Sequence, residues 1–150
     1  APPPPAAAAP LAQGAAPRGT STALEKSYLR LTADGPQAGA VRPPAVLRQA
    51  LELVKSKWCS SPSYGHACEQ LKAIRQDLTV QHVRGALAAA VYETHARVAA
   101  EAGDWAEHGQ CASVLAALHA ELLGRAKGKA ELRARLEAAA EFAAYRVLYA

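Results

Sequence analysis

Apolar side chains recur at helical spacing along most of this chain, with helix punctuation between the runs, and that pattern restricts it to stacked helices. Leu47, Leu51, Val54 and Trp58 stand at i, i+4, i+7 and i+11, one face of an amphipathic helix and not the alternation of a strand. Pro43 and Pro44 suit its first turn, where a missing amide hydrogen costs nothing, and the run ends near Cys59. After the turn Ser60-Ser61-Pro62-Ser63, the residues Tyr64, Ala67, Cys68, Leu71, Ile74 and Leu78 predict the next helix, with Lys72 and Arg75 away from most of its apolar face. Val80, Val83, Leu87, Val91, Thr94 and Val98 continue the period past Thr79-Val80, so another helix is expected to run to about Ala102. Upstream, Thr22-Ala23-Leu24-Glu25 reads as a capping box that would open a short helix over 22–31.

Gly103 closes the helix before it, and Asp104 with Glu107 three residues later predicts a capped helix carrying Trp105, Cys111, Leu115, Leu118 and Leu122 inward. The two helices joined by Ala102-Gly103-Asp104 make an αα-hairpin of the kind that stacks into solenoids. Residues 125–140 are Ala-rich and charged with weak periodicity, which suits a surface helix. Large apolar side chains return at 141–149, where Phe142, Tyr145, Leu148 and Tyr149 are expected to form an uncovered partner or packing surface. Trp58 and Trp105 each fall at a helix end, where packing or rim sealing is the expected role and anchoring a partner the alternative.

Composition agrees. Ala supplies 38 of 150 residues and aromatic residues only 5 %, which favours helix and disfavours a β-sandwich or barrel. Six of ten prolines lie within residues 1–17, a stretch without charge, so residues 1–20 are expected to be a disordered tail. The sequence contains no Met, from which a fragment of a longer product is expected. The three cysteines show no C-x-x-C spacing, consistent with free thiols in a reducing compartment. No apolar run approaches the ~20 residues of a membrane span.

The net charge of +4 divides unevenly. Residues 41–84 carry Arg42, Arg48, Lys55, Lys57, Lys72, Arg75 and Arg84 against Glu52, Glu69 and Asp77, a balance of +4; residues 85–150 balance to −1. These seven cations are the candidates for nucleic-acid contact, although a solvated face of mixed charge is the commoner arrangement. His66 and Cys68 diverge on a helix, and a zinc set from His95, His108, Cys111 and His119 is disfavoured against a packed Cys beside a surface His. Nothing in the spacing supports a Cys-His nucleophile, an acid/base pair or a phosphate-binding loop, so no catalytic residue, metal or cofactor is expected.

Several blocks also resemble a known family. Leu24-Glu25-Lys26-Ser27-Tyr28-Leu29-Arg30-Leu31-Thr32, Val41-Arg42-Pro43-Pro44-Ala45-Val46-Leu47, Ile74-Arg75-Gln76-Asp77-Leu78-Thr79-Val80-Gln81, Tyr92-Glu93-Thr94-His95-Ala96-Arg97 and Gly103-Asp104 with Gln110-Cys111 resemble the SAC/GANP domain. Within that family they are most similar to the leukocyte-receptor-cluster member eight group and its fungal relatives. The likeness runs over about residues 24–149. It departs at 121–140, which reads as an insertion lengthening a connection, and at Gly109, where a polar helix residue is expected.

The resemblance implies an all-α fold of stacked antiparallel helix pairs, PCI-like, over residues 21–150, normally leading into a winged helix beyond this chain. It implies a non-enzymatic scaffold of a nuclear complex in mRNA export or in transcription- and splicing-coupled mRNA processing. A PCI-domain protein and a small acidic DSS/Sem-type protein are the implied partners, RNA is met mainly through the winged helix, and no membrane is involved. The alternative is a pure protein-interaction module of a proteasome-lid or signalosome-like assembly. A fragment of this kind is expected to be marginally stable alone.

Overall fold

The computed structural model describes residues 16–29, 35 and 37–149. A single 3-10 turn, Ala38–Ala40, precedes five helices: α1 (Pro44–Ser60), α2 (Tyr64–Val80), α3 (Ala86–Ala102), α4 (Trp105–Arg125) and α5 (Lys129–Leu148). No strand occurs among the described residues, so the chain is all-α, as the periodicity predicts. Each helix packs on its neighbour in sequence, and α1 also reaches α3. Connections of a few residues force successive helices to run antiparallel, and the result is a stack of helix pairs.

The predicted apolar stripes build the main core: Leu47, Leu51 and Val54 of α1 meet Leu71, Ile74 and Leu78 of α2, with Val91 and Val98 of α3 and Leu118 of α4 behind them. Ala50, Ala67, Ala88 and Ala89 fill the same core; such small side chains let the helix backbones approach closely. Gly103 closes α3 in the left-handed conformation (φ 77°), with Asp104 N donating to Ala99 O at 2.8 Å. That is the Schellman closure predicted from Gly at this place, and Asp104 caps α4 by accepting from Glu107 N at 3.0 Å.

Five sequence expectations are corrected. α3 begins at Ala86 and not near Val80, because α2 is closed by Val83 N donating to Leu78 O with His82 at φ 54°, and Gly85 follows at φ 116°. Residues 121–140 do not lengthen a connection: they complete α4 and form the first half of α5, with only Ala126, Lys127 and Gly128 between the helices. Phe142 is 2 % exposed, because it packs on Ala96, Cys111 and Leu115 in a second, smaller core. Trp105 faces outward, stacked on Tyr149 with ring centroids 4.1 Å apart.

The fifth correction concerns residues 22–29, which are not helical; the last two residues of the expected helix, 30 and 31, lie outside the described residues. The stretch from residue 18 to 29 is an extended strap across α1 and α2. Its backbone groups find side chains instead of helical partners: Gln81 Oε1 accepts from Gly19 N, Gln70 Oε1 from Lys26 N, and Arg42 donates to Leu24 O. Glu25, expected in a capping box, pairs with Lys57 at 2.6 Å and His66 at 3.0 Å. Most of the expected Pro/Ala tail, residues 1–15, lies outside the described residues, whereas Gly19 is buried in the strap.

A Cβ at Gly19 would overlap the carbonyl of Val41. Gly19→Ala is therefore expected to lift the strap and to lower stability by about 1–3 kcal/mol, the usual range for overpacking. Limited trypsin digestion checks it, with faster cleavage at Arg18 and Lys26 expected; an unchanged digestion rate counts against the strap contact.

Candidate functional site

Two of the seven candidate cations meet in a polar cluster between α2, α3 and α4. Arg75 projects from α2 and donates to His95 Nδ1 on α3 at 3.1 Å, to the Glu107 carboxylate on α4, and to Cys111 Sγ at 3.5 Å. Its guanidinium also lies over the Tyr92 ring, 4.8 Å from the centroid, and Lys72 reaches the other Glu107 oxygen at 2.9 Å. Glu107 thus makes only half of the predicted capping box: its amide is bonded to Asp104, while its carboxylate turns inward to the two cations. The cluster opens on a cleft of about 400 Å³ bordered by Tyr28 of the strap, Gln76, Tyr92 and Gln110.

Burial and charge act on this cluster in opposite directions. Burial, aided by the Arg75 charge, holds the His95 imidazole down to about 4. Burial pushes the Cys111 thiol up to about 12. At Glu107 burial works toward a higher value, yet hydrogen bonds from Lys72 and Arg75 prevail and keep the carboxyl below its ordinary range. Because a guanidinium only donates, His95 Nδ1 is the acceptor and Nε2 carries the hydrogen. That N–H is buried without a partner and faces Glu107 Oε1 at 3.9 Å.

Cys68, His95 and Glu107 bring their ligand atoms within 4.8 Å of one another, a trio that sequence spacing did not single out. The donors do not suit a metal ion, since Arg75 occupies the lone pair of His95 Nδ1 and both Glu107 oxygens already accept from cations. The other His side chains are engaged elsewhere: His108 Nδ1 donates to Ala96 O at 2.9 Å and His119 Nε2 lies 2.8 Å from Glu93. His108 is buried, not the surface residue expected beside Cys111. Inert thiol, neutral imidazole and paired carboxylate make a structural joint, with no activated nucleophile in it.

His95 gives this joint a measurable pH signature. Its folded-state value lies below the ordinary 6.5, so the unfolded chain takes up the proton first, and stability is complete above about 6.5 and falls as pH drops toward about 4. Between pH 7 and pH 5 the expected loss is about 2 kcal/mol, read by urea unfolding at both values. His95→Gln is expected to remove this slope. The depressed carboxyls Glu107 and Asp104 add their own loss only below about pH 4.5.

The remaining candidates are dispersed. Arg42 is fully buried, with Nε 2.6 Å from Asp77, and cannot touch a nucleic acid: its family-like block turns inward because Asp77 and Leu24 O supply its partners. Arg48 is exposed. Lys55 pairs with Glu52 on one exposed turn and Lys57 with Glu25 of the strap. Arg84 grips Glu121 from across the α3–α4 side. Of the expected C-terminal surface, Leu148 and Tyr149 are exposed, Tyr145 is half-buried with its hydroxyl 3.2 Å from Glu141, and Phe142 belongs to the core.

Sequence reasoning missed the densest cationic stretch. Residues 125–135 hold Arg125, Lys127, Lys129, Arg133 and Arg135 against Glu131 alone, a local +4 in eleven residues. Averaging over 85–150 hid it among eight acids.

The fold and its joint define a helical-repeat protein whose buried polar groups tie helices together. Within that class the particular family is clear: the SAC3/GANP family model matches residues 12–150, and the chain belongs to this family. It is 45 % identical over 132 residues to a THP3 homologue of Schizosaccharomyces pombe and 45 % identical over 131 residues to a leukocyte receptor cluster member 8 homologue of Xenopus laevis. It is 47 % identical over 132 residues to SAC3 family protein A of Arabidopsis thaliana. These matches take in 87–88 % of this chain but only 30 %, 15 % and 12 % of the three relatives.

Proposed function

We propose that this chain is the helical-repeat part of a non-enzymatic scaffold subunit of a nuclear complex that handles mRNA, in export or in transcription- and splicing-coupled processing. Its partners in this reading are a PCI-domain protein and a small acidic DSS/Sem-type protein. The observation that carries it is membership of the SAC3/GANP family across residues 12–150. The buried ionisable groups support the non-enzymatic half of the reading, because Arg75, His95 and Glu107 are bonded to one another and none of these three stands free toward the cleft. Affinity purification of the full-length protein from nuclei tests it. Recovery of a PCI subunit with a small acidic protein and an mRNA-processing or export factor is expected; recovery of proteasome-lid subunits in their place overturns it.

One observation favours the second reading, a pure protein-interaction module. Five of the seven cations first expected at nucleic acid hold carboxylates on other elements: Arg42, Lys57, Lys72, Arg75 and Arg84. If those residues were the whole of the RNA-facing surface, little free positive charge would be left on it.

A further inference from the structure

We propose that the turn between α4 and α5 is a contact surface for the phosphates of single-stranded RNA, with Arg125, Lys127 and Lys129 as its cations. The choice of RNA rests on the mRNA-handling reading above; the choice of surface rests on charge. These three side chains are exposed, and among the described residues none of them has a carboxylate within 4 Å, unlike most cations of the preceding block. Glu121, one helical turn before Arg125, is already held by Arg84, whose guanidinium approaches both its oxygens at 3.1 Å. That pair is neutral as a unit, and it takes the nearest α4 acid out of competition for Arg125. Glu131, the one acid within 125–135, accepts from Lys127 N at 2.9 Å.

The turn holds these charges in place. Only three residues separate the helices, and Gly128 makes the reversal at φ 94°, so Arg125 and Lys129 sit on helix ends, not on a long loop. Gly128 offers no side chain to the first amides of α5, and Glu131 in the first turn offsets part of the positive charge of that helix end. The turn itself contributes only Ala and Gly besides its cations. The nearest large exposed apolar side chain, Leu132, lies beyond these cations on α5, so the turn offers charge more than an apolar anchor for a protein partner, and a backbone reader needs only spaced cations.

The test is the affinity of the full-length protein for a fluorescein-labelled oligouridylate across a salt series. The triple variant Arg125→Gln, Lys127→Gln, Lys129→Gln removes three exposed charges and no packed group. It is expected to reduce the slope of log affinity against log salt by about 2, from about 0.7 per phosphate on a single strand. Arg48→Gln with Lys55→Gln on α1 is expected to leave the slope unchanged. RNA binding with an unaltered slope in the triple variant overturns the surface while the mRNA reading stands. Equal competition by polyglutamate, or no RNA binding by the wild-type protein that still recovers mRNA-processing partners, overturns the RNA contact alone. Recovery of proteasome-lid subunits overturns the reading beneath it.

Discussion

Asp77→Ala is expected to cost about 3–5 kcal/mol, the range for breaking one side of a buried ion pair, out of the ~5–15 kcal/mol that holds a typical domain together. Asp77 is 1 % exposed and Arg42 fully buried. The carboxylate holds Arg42 Nε and Lys26 Nζ at 2.6 Å each, on two different oxygens. Removing it strands a guanidinium whose other polar partner is Leu24 O, and it frees the strap at Lys26. The double variant Arg42→Met, Asp77→Leu takes away both charges of the inner pair and fills the space, so it is expected to be more stable than Asp77→Ala. Urea unfolding reads both. A loss below about 1 kcal/mol in the single variant, or a double variant no better than the single, would show that the pair does not hold the strap as the distances indicate.

How much of this was legible in the sequence follows from how far apart the cooperating residues are. The closure of α3 and the start of α4 were readable because Gly103, Asp104 and Glu107 act within a few residues of one another. The apolar stripes of α1 and α2 were readable because burial repeats at helical spacing. The strap was not, since Thr22 to Glu25 carry a sound local signal for a helix start while Glu25 is held by Lys57, Lys26 by Asp77, and Gly19 by Gln81, 62 residues away. Long-range side-chain partners outcompeted a weak local nucleus, which a short helix cannot resist alone. The same separation hid the joint. Lys72 and Arg75 were placed off the apolar face of α2, a sound position for solvated charges, and only the docking of α4 brings Glu107 to them. Family likeness located the blocks that contain Arg75, His95 and Cys111 but not what those residues do to each other. The cationic turn was hidden for a different reason: its signal is local, and counting charge over a long interval diluted it.

Arg75→Ala is expected to have an effect of similar size, again about 3–5 kcal/mol, with a signature that separates electrostatics from lost packing. Arg75 links three helices through His95, Glu107 and Cys111. Without it Glu107 keeps Lys72, whose ammonium is 38 % exposed on its side chain, so the carboxylate is left half-neutralised in a buried place. Arg75→Lys is expected to recover little, because an ammonium is a point donor that cannot serve His95 and Glu107 together while also stacking on Tyr92. The distinguishing measurement is pH. The Arg75 charge is the second cause, after burial, of the low His95 value, so its removal raises that value toward the ordinary 6.5 and flattens the stability loss between pH 7 and pH 5. Glu107 shifts in the same direction: relieved of one of its two donors, its carboxyl rises toward its ordinary value, so the further stability loss it causes in acid is smaller than in the wild type. A variant that is destabilised by a constant amount at every pH would mean that Arg75 acts through packing alone.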